Sequence, residues 1–157
     1  MSDRTVTHAS FVIERDYAAP PSRVFAAFAD PAQKRRWFAE GEGWSIERFD
    51  VDFRIGGSEH SSFRYQGGPP ISNDTTYQNI VPDRRIVSAY TMTIAGEPIS
   101  ASLATVELIP VGSGTRLVYT EQAAFLDGKD EVSTREAGSR ELLESLAQEL
   151  ERTAVAG

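Results

Sequence analysis

The chain contains no cysteine. Disulfides, thiolate nucleophiles, iron–sulfur clusters and cysteine-based zinc sites are therefore excluded, and nothing points to an oxidising compartment. Histidine is nearly as scarce, with His8 and His60 alone, too few for a histidine-rich metal centre. Glu59 and His60 could not share a metal from one strand, because adjacent strand residues point to opposite faces. No metal is expected. Basic charge is thin as well: Lys and Arg together number 16 against 23 Asp and Glu, a formal charge of −7 with a pI near 4.9. Phosphate backbones are bound by clustered Lys and Arg, so nucleic acid is not an expected partner. The one basic run, Lys34-Arg35-Arg36, reads as the solvated last turn of a short helix, where positive charge complements the helix dipole.

Long apolar runs are missing too. None approaches the roughly 20 residues that span a bilayer, and the opening MSDRTVTHAS lacks the apolar core of a signal peptide. A cytoplasmic protein without membrane insertion is the expectation. No phosphate-binding glycine loop, dinucleotide fingerprint, nucleophile elbow or metal-protease helix occurs, so no cofactor is called for. Arg far outnumbers Lys and Ala is frequent, as in proteins from GC-rich bacteria.

What remains is ordinary globular material, 157 residues with 40% hydrophobic and 25% charged content. That is one domain, 1–157, able to bury about two thirds of its unfolded surface. Residues 6–18 alternate and form a first strand, ended by Pro20-Pro21 because proline cannot donate to a ladder. Pro21 opens a short helix burying Val24, Phe25 and Phe28. Asp30-Pro31-Ala32-Gln33 starts a second, with an N-cap Asp and a Pro at N1, which runs to about Phe38.

From Gly41 the period becomes two. Strands are expected over 44–49, 51–55, 59–66, 71–81, 85–94, 99–109 and 115–125. Gly56-Gly57, Gly67-Gly68-Pro69-Pro70, Pro82-Asp83-Arg84, residues 95–98 and residues 111–114 separate them. Such connections are too short for parallel crossovers, so neighbours are antiparallel.

The last stretch, 133–152, has helical spacing, with Ala137, Leu142, Leu143, Leu146, Ala147 and Leu150 on one face. Ser133 and Glu136 fit a capping box, and Glu131–Arg135 and Glu136–Arg140 stand four apart in the favourable order. Strands and helices are segregated, which gives an α+β class. The one-sided helix needs a surface, and the sheet supplies it.

Pairing Pro110 with Thr115 sets Leu108 opposite Leu117, Val106 opposite Tyr119 and Ala104 opposite Glu121 on the inner face. A three-residue turn at 95–97, or a bulge, adds Tyr90 and Met92 to that face; another register would substitute Ala89 and Thr91.

These segments resemble a known family. Ala19-Pro20-Pro21 with Val24-Phe25, then Asp30-Pro31 with Arg36-Trp37-Phe38, is similar to the opening of the START-like, or SRPBCC, superfamily. The matching branch is the one named after the activator of the 90-kDa heat-shock protein ATPase. Arg54-Ile55-Gly56-Gly57, Tyr77-Gln78-Asn79-Ile80-Val81-Pro82 with Arg85-Ile86-Val87, Val106 to Pro110, Gly114 to Leu117 and Glu121 continue it. Gly138 with Leu142, Leu146 and Leu150 resembles its last helix. The resemblance covers nearly the whole chain and implies a helix-grip fold of START/Bet v-like type: a curved antiparallel sheet around a long C-terminal helix, two short helices after the first strand, and an elongated cavity for an apolar ligand. One departure is Ser139 after Gly138, where the family often carries Trp; the smaller side chain leaves more room. The named activator also binds its partner through a separate N-terminal domain, for which a single domain over 1–157 leaves no residues.

Candidate ligand-binding residues are the aromatics Trp37, Phe38, Phe53, Phe63 and Tyr65, with Tyr77, Tyr90, Tyr119 and Phe125. Core packing accounts for any one of them, but a set rich in tyrosine suits a pocket, because a buried hydroxyl needs a partner. Met92 suits an adaptable apolar wall. Gly138 costs roughly 1 kcal/mol against Ala inside a helix, which close approach to the sheet or to a ligand would explain, and Leu142 lies on the same helix. Glu121 beside Tyr119 is the one candidate general acid or base, or else the partner of an Arg such as Arg64 or Arg140.

These residues favour a binding domain for an apolar or aromatic molecule of lipid, polyketide or isoprenoid class. The alternatives are a cyclase- or dehydratase-type enzyme using Glu121 or a tyrosine, and a chaperone ATPase co-regulator. Homodimerisation is compatible with so small a domain.

Overall fold

The computed structural model describes residues 4–156. The chain runs β1 (Val6–Tyr17), α1 (Pro21–Ala29), α2 (Pro31–Lys34), a π turn (Arg35–Ala39), then β2 (Trp44–Val51), β3 (Ser58–Tyr65), β4 (Ile71–Val81), β5 (Arg85–Ile94), β6 (Glu97–Val111), β7 (Gly114–Leu126) and α3 (Val132–Ala156). The strands form one antiparallel sheet in the order β1-β7-β6-β5-β4-β3-β2. The sheet curves around α3 as a helix-grip. No helix among the described residues is long and apolar enough to cross a membrane.

The short helices form where the prolines place them. Pro20 and Pro21 start α1, which buries Val24, Ala27 and Phe28. Asp30 caps α2, accepting from the Ala32 backbone N–H at 3.1 Å. The following turn widens to a π turn, closed by Glu40 N–H to the Arg35 carbonyl at 3.0 Å. It carries Trp37 inward, where the indole donates to the Ala27 carbonyl at 2.8 Å and the ring meets Phe28 edge-on. Ile13, Val24, Ala27, Leu117 and Leu146 are wholly buried and form the centre of the core at one end of the helix.

Sheet register follows the hydrophobic pattern. Leu108 faces Leu117, Val106 faces Tyr119 and Ala104 faces Glu121, as the alternation predicts. The β5–β6 connection is a two-residue turn, Ala95-Gly96, with both φ values positive (53° and 81°); that hand matches the sheet's twist. Met92 pairs Ser100 while Thr93 pairs Pro98, so Ile99 is an extra residue in a bulge. The bulge restores the parity that sends Tyr90 and Met92 inward.

Four expectations are corrected. Residues 51–55 are not a strand: β2 ends at Val51, and the chain folds back so tightly that a Cβ at Gly57 would lie 2.1 Å from the Asp52 carbonyl oxygen. This glycine loop pairs with β4, Gly56 N–H to Tyr77 O at 2.8 Å and Tyr77 N–H to Gly57 O at 3.0 Å. The Ser133–Glu136 capping box does not form, because α3 already starts at Val132 and the Ser133 hydroxyl turns to the Glu131 carboxylate.

The helix stripe is also different at its N-terminal end. Ala137 is exposed, whereas Arg135 and Ser139 are buried. Arg135 therefore forms no pair with Glu131; the Glu136–Arg140 pair does form, at 2.8 Å.

Candidate functional site

Between the inner face of the sheet and α3 lies a cavity of about 690 Å³. The π turn supplies Trp37 and Phe38 to its wall, and Phe53 and Phe63 lie beyond them. Tyr77, Tyr90, Met92 and Tyr119 project from the sheet, and Gly138 and Leu142 face them from α3. A Cβ on Gly138 would meet nothing within 4 Å, so the glycine makes no close approach to the sheet; it leaves space. The lining also takes in Glu40, Gly41, Glu42 and Trp44, and Asp130, Thr134 and Glu141.

Three candidates lie outside this lining. Tyr65 is 47% exposed at the end of β3, where it packs on Trp44 at 5.0 Å between ring centres. The strand parity is right, but the cavity ends before it. Phe125 is buried beneath the Arg135 guanidinium, 5.4 Å from its ring centre. Glu121 is wholly buried behind Tyr90 and Tyr119.

Glu121 is the centre of a closed network. Its Oε1 accepts from the Tyr119 hydroxyl at 2.6 Å, and its Oε2 from Tyr90 at 2.7 Å, Ser102 at 2.8 Å and Arg135 at 3.1 Å. Arg135 also donates to Ser100 at 2.7 Å and to Asp130 at 2.9 Å. Burial raises the Tyr90 and Tyr119 hydroxyls above the ordinary tyrosine range, and the neighbouring Glu121 charge adds to it. Burial opposes the charge on Arg135, but Tyr90, Glu121 and Asp130 outweigh it and hold the guanidinium more firmly protonated than usual. Both oxygens of this carboxylate are engaged, and the group is wholly buried outside the cavity lining. The expected partners Arg64 and Arg140 lie elsewhere, on Glu47 and Glu136.

A second network sits across the cavity. Glu59 on β3 is 2% exposed, and its Oε1 accepts from Lys34 Nζ at 2.8 Å and from the Tyr77 hydroxyl at 2.6 Å. Lys34 lies over the Phe38 ring, 4.8 Å from its centre, and both Lys34 and Glu59 line the cavity. Burial, then the Glu59 charge, raises the Tyr77 hydroxyl. The basic run is thus not simply a solvated turn: Lys34 points inward to Glu59, Arg36 grips the buried Glu149 at 2.7 Å while staying partly exposed, and Arg35 is the most exposed of the three. His60 turns outward to Asp74 at 2.7 Å, opposite in sense to Glu59. Among the described residues no three His, Cys, Asp or Glu side chains are grouped as metal ligands.

Glu59, Lys34, Asn73 and Arg135 are the site residues that the sequence reading omits. Glu59 was open to detection, since it shares strand parity with Phe63. Lys34 and Arg135 carried no such signal, because a charged residue on a short helix or a first helical turn reads as solvated.

Residues 18–151 match the family model described as Activator of Hsp90 ATPase homolog 1-like protein. Among solved structures, the Mll3558 protein from Rhizobium loti is 55% identical, with 92% of this chain and 99% of that one covered and a TM-score of 0.86. A protein from Rhizobium leguminosarum is 41% identical, with 96% and 99% covered and a TM-score of 0.92. Protein CV1439 from Chromobacterium violaceum is 25% identical, with 90% and 96% covered and a TM-score of 0.76. No curated protein matches the chain.

Proposed function

The chain belongs to the Activator of Hsp90 ATPase homolog 1-like family of the START-like (SRPBCC) superfamily, and on that premise we propose that it is a binding protein whose cavity holds an apolar or aromatic small molecule. The observation that carries this reading is the cavity itself. Its volume of about 690 Å³ falls within the several hundred cubic ångströms typical of ligand pockets. Protein interiors normally close such space, because unfilled volume forfeits packing energy. Here polar struts oppose collapse: Arg135–Glu121 ties α3 to β7, and Lys34–Glu59 ties α2 to β3. Gly138 withholds a side chain at the same level. Energy spent on holding a space open is regained when a ligand fills it.

Native mass spectrometry of freshly purified protein, compared with the denatured mass, tests the reading. A retained small molecule is the expected result. An empty protein that also binds nothing from a panel of lipids and aromatic compounds would overturn it. The enzyme alternative, of cyclase or dehydratase type, rests on Glu59 rather than on Glu121, because Glu59 is a buried carboxylate in the cavity lining and Glu121 lies outside that lining.

A further inference from the structure

The inner face of the sheet is not uniformly apolar. Directly opposed residues of an antiparallel sheet share a face, and successive pairings draw one row through Glu59, Thr75, Tyr90 and Ser102. The next row runs Ser61, Asn73, Met92 and Ser100. Together they make a polar belt across the cavity floor, with Phe63 and Ile71 beyond it on one side and Ile86 and Val106 on the other.

One end of this belt is spoken for. Tyr90, Ser100 and Ser102 are bonded to Glu121 or Arg135. The other end is not. Asn73, 7% exposed and part of the cavity lining, has a buried Oδ1 with no hydrogen-bond partner, and the Ser61 hydroxyl opposite it has none either. Glu59 places both of its hydrogen bonds on Oε1, leaving Oε2 without one. Buried polar atoms without partners are rare and costly, and each calls for an explanation. Glu59 Oε2 and Asn73 Oδ1 are acceptors, and Glu59 can only accept, whereas the Asn73 carboxamide also carries a donor nitrogen. Cations facing inward are already neutralised, Lys34 by Glu59 and Arg135 by Glu121 and Asp130.

We propose that the Asn73–Glu59 end of this belt is the recognition subsite of the cavity, and that its occupant is an uncharged, apolar-bodied molecule carrying hydroxyl or N–H donors, rather than a plain acyl chain or an anion. The inference rests on the small-molecule reading and adds the chemistry of the ligand to it. The apolar body lies against Phe38, Phe63 and Leu142, and its donors meet Glu59 Oε2 beside the Asn73 carboxamide. Such a ligand completes the hydrogen bonding that the folded chain leaves unfinished.

The test compares two probes of one skeleton by titration calorimetry: 2,7-dihydroxynaphthalene, which has donors, and 2,7-dimethoxynaphthalene, which has acceptors only. The diol is expected to bind the unaltered protein about ten-fold tighter or more, although it costs more to take from water. In Asn73→Leu, checked for a native circular dichroism spectrum, most of that preference should vanish through weaker diol binding. Equal or tighter binding of the diether to the unaltered protein would overturn the donor subsite while leaving the cavity reading in place. So would an undiminished preference in folded Asn73→Leu. Failure of both probes to bind would count against the small-molecule reading itself. The comparison in the unaltered protein decides the matter even if the variant does not fold.

Discussion

The Arg135 guanidinium in the first turn of α3 lies 3.1 Å from the Glu121 carboxylate on β7, with 6% and 0% of the two side chains exposed. A buried ion pair gains little net stability over a well-packed apolar pair, but removing one partner strands the other charge. Here the pair sits where the helix would otherwise settle onto the sheet. Its chief effect is positional: it sets the height of α3 above Tyr90 and Tyr119.

Arg135→Met should therefore cost about 3–5 kcal/mol of unfolding free energy, because Glu121 loses its counter-ion in a buried site. The double variant Arg135→Met with Glu121→Gln should be more stable than the sum of the two single losses implies. Urea denaturation of the four proteins checks this. Additive losses would show that the two groups act independently.

Gly138 offers the reverse experiment. No atom lies within 4 Å of a Cβ built there, and alanine is favoured over glycine inside a helix by about 1 kcal/mol. Gly138→Ala should raise stability by about that amount and leave binding of an aromatic probe such as 2,7-dihydroxynaphthalene nearly unchanged. Gly138→Leu extends a branched side chain into the cavity and should weaken the same probe at least about ten-fold. Thermal melts and calorimetry read the two effects separately.

Acid sensitivity should centre on Glu149. Hydrogen bonds from Arg36, opposed by burial and assisted by Arg152, hold this carboxyl below the usual carboxylate range. A carboxyl depressed in the folded state stabilises fully above its unfolded pKa, about 4.3, and loses that contribution as pH falls through its folded value. The stability advantage of the unaltered protein over Glu149→Gln should shrink steadily from about pH 6 to about pH 3. A constant difference in chemical denaturation across that window would contradict the assignment.

At the alkaline end the tyrosines decide. Burial raises Tyr17, Tyr77, Tyr90 and Tyr119 above the ordinary range, with carboxylate neighbours adding to it for all four and the charge of Arg15 opposing it for Tyr17. A hydroxyl whose folded pKa is raised stabilises the fold below its unfolded value, about 10, and loses that contribution as pH rises past it. Tyrosinate absorbance of these four should then rise together with loss of the near-ultraviolet dichroism, as one cooperative transition. Gradual ionisation in a still-folded protein would show the hydroxyls to be open to solvent.

Much of the architecture was legible because local chemistry and tertiary packing agree. Pro21 and Pro31 sit at the first helical positions that proline favours, and the alternation across 104–121 permits one register that buries Leu108 and Leu117. The cavity wall was legible in the same way for Trp37, Phe63, Tyr77 and Tyr119, whose apolar bulk demands an inner face. Tyr65 was misplaced because parity reports the face of a strand and not how far along it the cavity extends.

By itself, then, the sequence determined period, punctuation and class: where strands and helices begin, which residues of a strand share a side, and that the last helix must lie on the sheet. Those follow from interactions spanning a few residues. Only the tertiary structure decided which charges go inside. Lys34 meets Glu59 and Arg135 meets Glu121 across separate elements, and a charged side chain carries no local mark of its distant partner. The same holds for the Ile99 bulge and the unpartnered Asn73 oxygen, since both arise from how neighbouring strands meet, not from the pattern within any one of them.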